Sequence, residues 1–169
     1  MILNFERKLN LILSDQKIIG NEIYGKNVGI IGLGKIGFRS AQILKKSFNC
    51  HIYYYSRKNK LLDMFDYMDV KKIFQICDYV ILAIKSNDFS IDEENLRSAN
   101  KNLVIVNISS DSILPLKKIL PLIKSGKIRG YIGDLLDTGV KQKGLAENVI
   151  LVNKYGYLTN QAKTIKDCI

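Results

Sequence analysis

Gly25-Lys26-Asn27-Val28-Gly29-Ile30-Ile31-Gly32-Leu33-Gly34-Lys35-Ile36-Gly37 is the stretch on which the fold of this chain turns. Val28 to Ile31 is a short apolar run suited to a buried strand, and the spacing Gly-x-Gly-x-x-Gly follows at once in Gly32, Gly34 and Gly37. In that spacing the first glycine permits a tight turn, the second lets backbone approach a pyrophosphate, and the third lets the next helix pack closely on the strand. A helix opening near Lys35 then offers unpaired amides and the positive end of its dipole to the diphosphate. Gly32, Leu33, Gly34, Lys35, Ile36 and Gly37 are therefore the expected diphosphate-binding turn of a dinucleotide site, the alternative being a vestigial turn.

Working outward, short apolar runs alternate with longer amphipathic ones, the periodicity of a βαβ protein. Strands are expected at Asn27 to Ile31, His51 to Tyr55, Tyr79 to Ile84, Leu103 to Ile108, Tyr131 to Leu135 and Val149 to Val152. Most lack polar alternation, so helices should cover both faces of a doubly wound parallel sheet, an α/β Rossmann fold of six strands. Helices are expected over Ile36 to Phe48, around Val70 to Cys77, and between Pro115 and Gly126. Pro121 falls inside the last of these and should kink or divide it. An earlier helix ending near Ile19 carries the apolar stripe Phe5, Leu9, Ile12 and Leu13. The organisation expected is an N-terminal helix and connection over 1–24, then one nucleotide-binding domain over 25–169. Gly139 to Gly144 is the one candidate loop of special composition.

The chain has 169 residues, about one domain's worth, and is 47% hydrophobic with two prolines, which excludes a disordered or collagen-like protein. Cys50, Cys77 and Cys168 form no CxxC pair and His51 is the single histidine, so no metal site is expected and reduced thiols in the cytoplasm are. Glu6, Arg7 and Lys8 stand where a signal peptide needs its apolar core, and no apolar run reaches the roughly 18 residues that span a bilayer, so no membrane partner is expected.

A formal charge of +10 raises the question of nucleic acid. The 26 basic residues are scattered and include only five arginines, the reverse of a base-reading surface. Solvated surface is the leading reading, a phosphate-bearing ligand or acidic partner the second, and nucleic acid is not expected. Beyond the second strand, where a carboxylate would hold an NAD ribose, the chain has Ser56, Arg57 and Lys58. A hydroxyl and two cations favour the 2′-phosphate of NADP over NAD, although NAD remains possible. The plainer alternative is that Arg57 and Lys58 cap an exposed strand end.

These residues place the sequence beside a known family. The glycine block, Cys77-Asp78-Tyr79-Val80-Ile81-Leu82-Ala83, Val104-Ile105-Val106-Asn107-Ile108-Ser109 and the run from Leu122 to Asp134 together resemble the nucleotide-binding domain of the D-2-hydroxyacid dehydrogenases. The resemblance reaches from Gly25 to about Ala162. It implies cofactor contacts at Ala83, Asn107, Ile108 and Ser109. It also implies that Asp134 meets the nicotinamide carboxamide, with capping of its strand as the other role open to it. Full-length members of the family add a substrate domain that closes the active-site cleft. That domain is expected to be missing here or supplied by another chain.

The family's catalytic side chains are a carboxylate-clamping arginine, a glutamate and a histidine. The arginine position falls on Ser110 and the following glycine on Asp111. The glutamate-proline pair falls on Gly139 and Val140, and the threonine-proline-histidine element on Val152, Asn153 and Lys154. No catalytic residue is therefore assigned. Lys154 would need heavy desolvation to act as an acid near neutrality and reads as a surface lysine, while His51 reads as structural.

Three functions remain open. The first is an NAD(P)-binding protein without autonomous catalysis. The second is an oxidoreductase acting on a 2-oxo or 2-hydroxy acid once a partner completes its cleft, and the third is a non-enzymatic assembly module. A homodimer is expected in which the stripe of Phe5, Leu9, Ile12 and Leu13 pairs, because it would otherwise leave an exposed apolar patch.

Overall fold

The structure, a computed structural model, describes residues 2–3, 6, 21–85, 89–134 and 145–152. Seven strands form one sheet among them: β1 (Asn27–Ile31), β2 (His51–Tyr55), β3 (Asp66–Tyr67), β4 (Tyr79–Leu82), β5 (Val104–Asn107), β6 (Gly130–Asp134) and β7 (Val149–Val152). Their order is β3-β2-β1-β4-β5-β6-β7 and every pairing is parallel. The order reverses between β1 and β4, and such a switch point opens a crevice at the carboxyl ends of the strands. Ile31, which ends β1, stands in register with Tyr55 of β2 and Leu82 of β4.

Successive strand residues point to opposite faces, and both faces are buried. Ile31, Val80, Leu82 and Ile105 belong to one apolar cluster, whereas Val28, Ile30, Tyr79, Ile81, Val104 and Val106 belong to the other. Helices α2 (Val70–Ile76), α3 (Glu93–Arg97) and α4 (Leu116–Lys124) contribute Ile73, Leu96 and Ile119 to the first. Helix α1 (Lys35–Phe48) contributes Ala41 and Leu44 to the second, where Ile2 of the N-terminal segment also packs. A fully buried isoleucine such as Ile73 or Ile119 is worth about 1.5–3 kcal/mol against exposure, and the two layers explain why the strands read as continuous apolar runs.

The helix starts follow from local chemistry. Asp69 accepts from the Lys72 N–H (2.9 Å) to cap α2, and Asp92 accepts from the Asn95 N–H (2.8 Å) to cap α3. Asp111, at the family's glycine position, accepts from the Leu116 N–H (2.9 Å) and so begins α4. By contrast, α1 begins after Gly34, with no side-chain cap and no acidic residue in its first turn. No carboxylate of its own first turn compensates its positive dipole end.

Two expectations need correction. The sheet has a seventh strand, β3, whose two exposed residues carry no apolar pattern that could have announced it. Pro121 does not divide α4, which runs unbroken from Leu116 to Lys124. Pro121 and Lys117, whose carbonyl cannot receive a hydrogen bond from the proline nitrogen, both lie on the exposed face, where the carbonyl is open to solvent at little cost. The stripe Phe5, Leu9, Ile12 and Leu13, the 139–144 loop and Cys168 lie outside the described residues.

Besides the packing of Ile2, a polar cluster ties the N-terminal segment to the sheet. The buried Glu6 carboxylate accepts from the Tyr79 hydroxyl (2.7 Å), the Arg129 guanidinium and the Asn21 N–H (2.8 Å).

Candidate dinucleotide site

The glycine turn is locked from two sides. Gly32 has φ +100°, donates its N–H to the Tyr55 carbonyl (2.9 Å), and leaves no space for a side chain, since a Cβ there would stand 2.5 Å from the Ala83 oxygen. Gly37 packs against Gly32, a Cβ on it lying 2.1 Å from the Gly32 carbonyl oxygen. Gly34 differs from both: a Cβ there would have nothing within 4 Å, so the turn presents bare backbone to an open cradle. Leu33 is buried beneath it, and Lys35 and Ile36 project outward on the first turn of α1, Ile36 being 67% exposed.

Beside this turn the loop after β2 folds around one buried phenol. The Tyr54 hydroxyl donates to Asn59 Oδ1 (2.7 Å) and accepts the Lys60 N–H (3.0 Å), while Asn59 Oδ1 also accepts the Leu61 N–H (3.0 Å). Ser56 turns its hydroxyl onto the Lys58 carbonyl (2.5 Å), so its proton is committed within the loop rather than aimed outward. The Lys60 ammonium reaches back to the Leu33 carbonyl (2.5 Å).

The third wall is the loop after β4. Past Leu82 the Ala83 N–H still takes the Ile31 carbonyl of β1 (2.8 Å), but the Ile84 N–H leaves the ladder for Ser109 Oγ (2.7 Å). Ser109 gives its own N–H to Asn107 Oδ1 (3.0 Å), and Asn107 Nδ2 donates to the Tyr131 hydroxyl (3.1 Å). Asn107 and Ser109 are thus buried supports of the crevice floor. Ile108 is half-buried, and Asp134 ends β6 as a buried residue.

These walls enclose a cleft of about 910 Å³, within the range of small-molecule sites. Of the expected cofactor contacts, Gly32, Leu33, Gly34, Ser56, Arg57, Lys58 and Ala83 line it, whereas Lys35, Ile36, Gly37, Asn107, Ile108, Ser109 and Asp134 do not. Lys60, Lys85, Tyr55 and Phe89 line it too and were not expected. Tyr55 and Phe89 pack with ring centroids 5.9 Å apart. Lys85 follows β4 closely enough to have been suspected from strand position alone, but Lys60 reaches the cleft only because Tyr54 shapes the loop. Among the described residues no carboxylate lines the cleft, and Arg57, Lys58, Lys60 and Lys85 all do. An open backbone cradle, a helix start with no carboxylate in its first turn and four cations fit a ligand carrying several phosphates.

The catalytic positions offer little. Ser110 is exposed, its Oγ accepting from the Ser112 hydroxyl (3.1 Å), and Val152 ends β7. Gly139, Val140, Asn153 and Lys154 lie outside the described residues. His51 begins β2, at the edge of the sheet opposite the cleft.

The sequence and fold have clear relatives. Residues 4–153 match the family model described as D-isomer specific 2-hydroxyacid dehydrogenase, NAD binding domain. A glyoxylate reductase of Pyrococcus furiosus is 30% identical over 155 residues, covering 86% of this chain and 46% of that protein. The chain spans about half the length of the curated relatives it matches. Among solved structures, apo D-lactate dehydrogenase from Escherichia coli superimposes with a TM-score of 0.83 at 21% identity, over 97% of this chain and 57% of that one. An acyclic imino acid reductase in complex with NADPH and D-Arg gives 0.78 at 22%, over 96% and 55%. Glycine turn, parallel sheet and matched residues converge on one assignment: this chain belongs to the D-isomer-specific 2-hydroxyacid dehydrogenases and carries their NAD-binding domain.

Proposed function

We propose that the cleft binds NADPH in preference to NADH, and that residues 25–169 act as a cofactor-binding unit without hydride transfer of their own. The observation that carries this is the cleft's lining of Arg57, Lys58, Lys60 and Lys85 with no carboxylate among the described residues. A ribose 2′-phosphate gains charge-assisted hydrogen bonds there, whereas a 2′-hydroxyl finds no carboxylate to accept its proton. The amides around Gly34 would hold the diphosphate, and Arg57 and Lys58 the 2′-phosphate. Ala83 would pack beside the adenosine, and Asn107 and Ser109 would act from beneath. Asp134 stays a candidate for the carboxamide. When bound, the cofactor supplies a hydride donor or acceptor. The chain itself supplies binding and orientation, because Ser110 stands where the substrate-clamping arginine would be.

Isothermal calorimetry on the purified chain tests the preference. NADPH should bind more tightly than NADH, and Arg57→Ala should narrow the gap. Equal affinities in the parent chain would contradict it.

The similarity to a glyoxylate reductase and a D-lactate dehydrogenase favours a second reading. In it the same domain serves an oxidoreductase of 2-oxo or 2-hydroxy acids, with another polypeptide segment completing the cleft. The proposal also includes a cytoplasmic homodimer that pairs through the N-terminal stripe. The buried free thiols Cys50 and Cys77 suit a reducing compartment, and a monomeric mass at micromolar concentration would reject the dimer.

A further inference from the structure

We propose that Lys60 is a latch on the glycine turn: its ammonium holds the Leu33 carbonyl and serves the diphosphate of either cofactor, while Arg57, with Lys58 beside it, discriminates the 2′-phosphate. The inference rests on the dinucleotide reading above and deepens it, since nothing in the glycine motif or in Ser56-Arg57-Lys58 assigns a role to Lys60.

Two observations carry it. First, Lys60 Nζ donates to the Leu33 carbonyl oxygen at 2.5 Å, and Leu33 lies between Gly32 and Gly34 in the turn itself. A cation on that carbonyl fixes the peptide plane whose neighbours must present their N–H groups to an anion. Second, the position of Lys60 is built rather than incidental. Tyr54, whose side chain is fully buried, accepts the Lys60 N–H at 3.0 Å and donates to Asn59 at 2.7 Å. Asn59 in turn accepts the Leu61 N–H at 3.0 Å, in a loop that turns through Leu61 at φ +48°. An exposed lysine that served only solubility would need no such anchor, whereas a lysine aimed at a phosphate-binding turn does.

The division of labour follows from reach. Lys60 is tied to the turn, where the diphosphate common to NADPH and NADH is held. Arg57 has no such tie and lies in the stretch after β2 where the 2′-substituent is read. Ser56 is a poor third donor because its hydroxyl is spent on the Lys58 carbonyl at 2.5 Å. Lys60 is thus a positioning residue that couples the loop after β2 to the turn after β1, and its charge is close enough to move from the carbonyl to a ligand phosphate.

The test is calorimetric titration of the full chain and of Lys60→Met, Lys60→Arg and Arg57→Ala with NADPH, NADH, ADP and adenosine, with melting curves recorded beside each. Lys60→Met should weaken NADPH, NADH and ADP by the same factor, roughly ten-fold for a lost charge-assisted contact. It should leave adenosine, which has no phosphate, unchanged. Lys60→Arg should recover most of the loss, which a purely structural role for the lysine stem would not require of a second cation. Arg57→Ala should change the NADPH to NADH ratio, which Lys60→Met should not. Weakening of NADPH alone by Lys60→Met would make Lys60 a 2′-phosphate ligand and overturn the proposal, as would unchanged affinity for all four ligands. Failure of the parent chain to bind NADPH, NADH or ADP would instead reject the dinucleotide reading itself.

Discussion

Gly37 packs so closely on Gly32 that a Cβ added to it would stand 2.1 Å from the Gly32 carbonyl oxygen. The first and third glycines of the motif therefore interlock, and the middle one is left facing open space. Gly37→Ala must lift α1 from β1, at a cost of about 1–3 kcal/mol for overpacking. Gly34→Ala meets nothing within 4 Å and should leave stability unchanged while weakening cofactor binding. Chemical denaturation of both variants checks this. Equal destabilisation would show that Gly34 is packed after all.

Glu6 is the acceptor for both Tyr79 and Arg129 in a buried cluster. Removing the shared acceptor leaves the buried Tyr79 hydroxyl without its Glu6 partner, so Glu6→Ala should cost about 1–3 kcal/mol. Urea unfolding measures it. A loss below about 1 kcal/mol would mean that the N-terminal segment adds little to the stability of the sheet.

Burial, with a smaller contribution from the charge of Asp78, pushes the Cys77 thiol up to about 12 from 9.0. Burial and the hydrogen bond to Glu6 raise Tyr79 as well. Both are acids that keep their protons longer folded than unfolded. Their stabilising effect is complete below the unfolded value and is lost as pH rises toward the folded one. Stability should therefore decline progressively between about pH 9 and 12. Denaturation midpoints that stay level from pH 8 to 10.5 would contradict it. Cys77 should also resist a thiol reagent at pH 8 until the protein unfolds.

The glycine turn was legible because each of its positions is a steric or electrostatic requirement that a single residue type meets. The strands were legible because both faces of the sheet are buried, which writes them as uninterrupted apolar runs. Asp66–Tyr67 escaped notice since two exposed residues have no periodicity to show. Lys60 escaped for a different reason: its approach to Leu33 depends on the Tyr54 hydroxyl folding the intervening loop, and hydrogen bonds across such a turn leave no trace in spacing. Asn107 and Ser109, expected as cofactor contacts, do not line the cleft; Ser109 Oγ accepts the Ile84 N–H of the loop after β4, and Asn107 Oδ1 accepts the Ser109 N–H beneath it.

Turnover provides an independent check. Loss of a general acid is worth about 10²–10⁴ in rate, and no arginine is present at Ser110 to hold a substrate carboxylate. NADPH oxidation with glyoxylate, pyruvate or hydroxypyruvate should remain at background in the purified chain. Robust turnover that a Gly34→Asp control abolishes would sink the claim of no autonomous catalysis, and Lys154→Met would then test whether that lysine had become the acid.

The most direct test of the central claim is a titration of isotope-labelled chain with NADPH followed by amide chemical shifts. The account predicts that the largest shifts cluster at Gly32 to Ile36, Ser56 to Lys60 and Ala83 to Lys85, at the carboxyl edge of the sheet. Absence of shifts at saturating NADPH, or shifts centred on the opposite edge near His51, would contradict it.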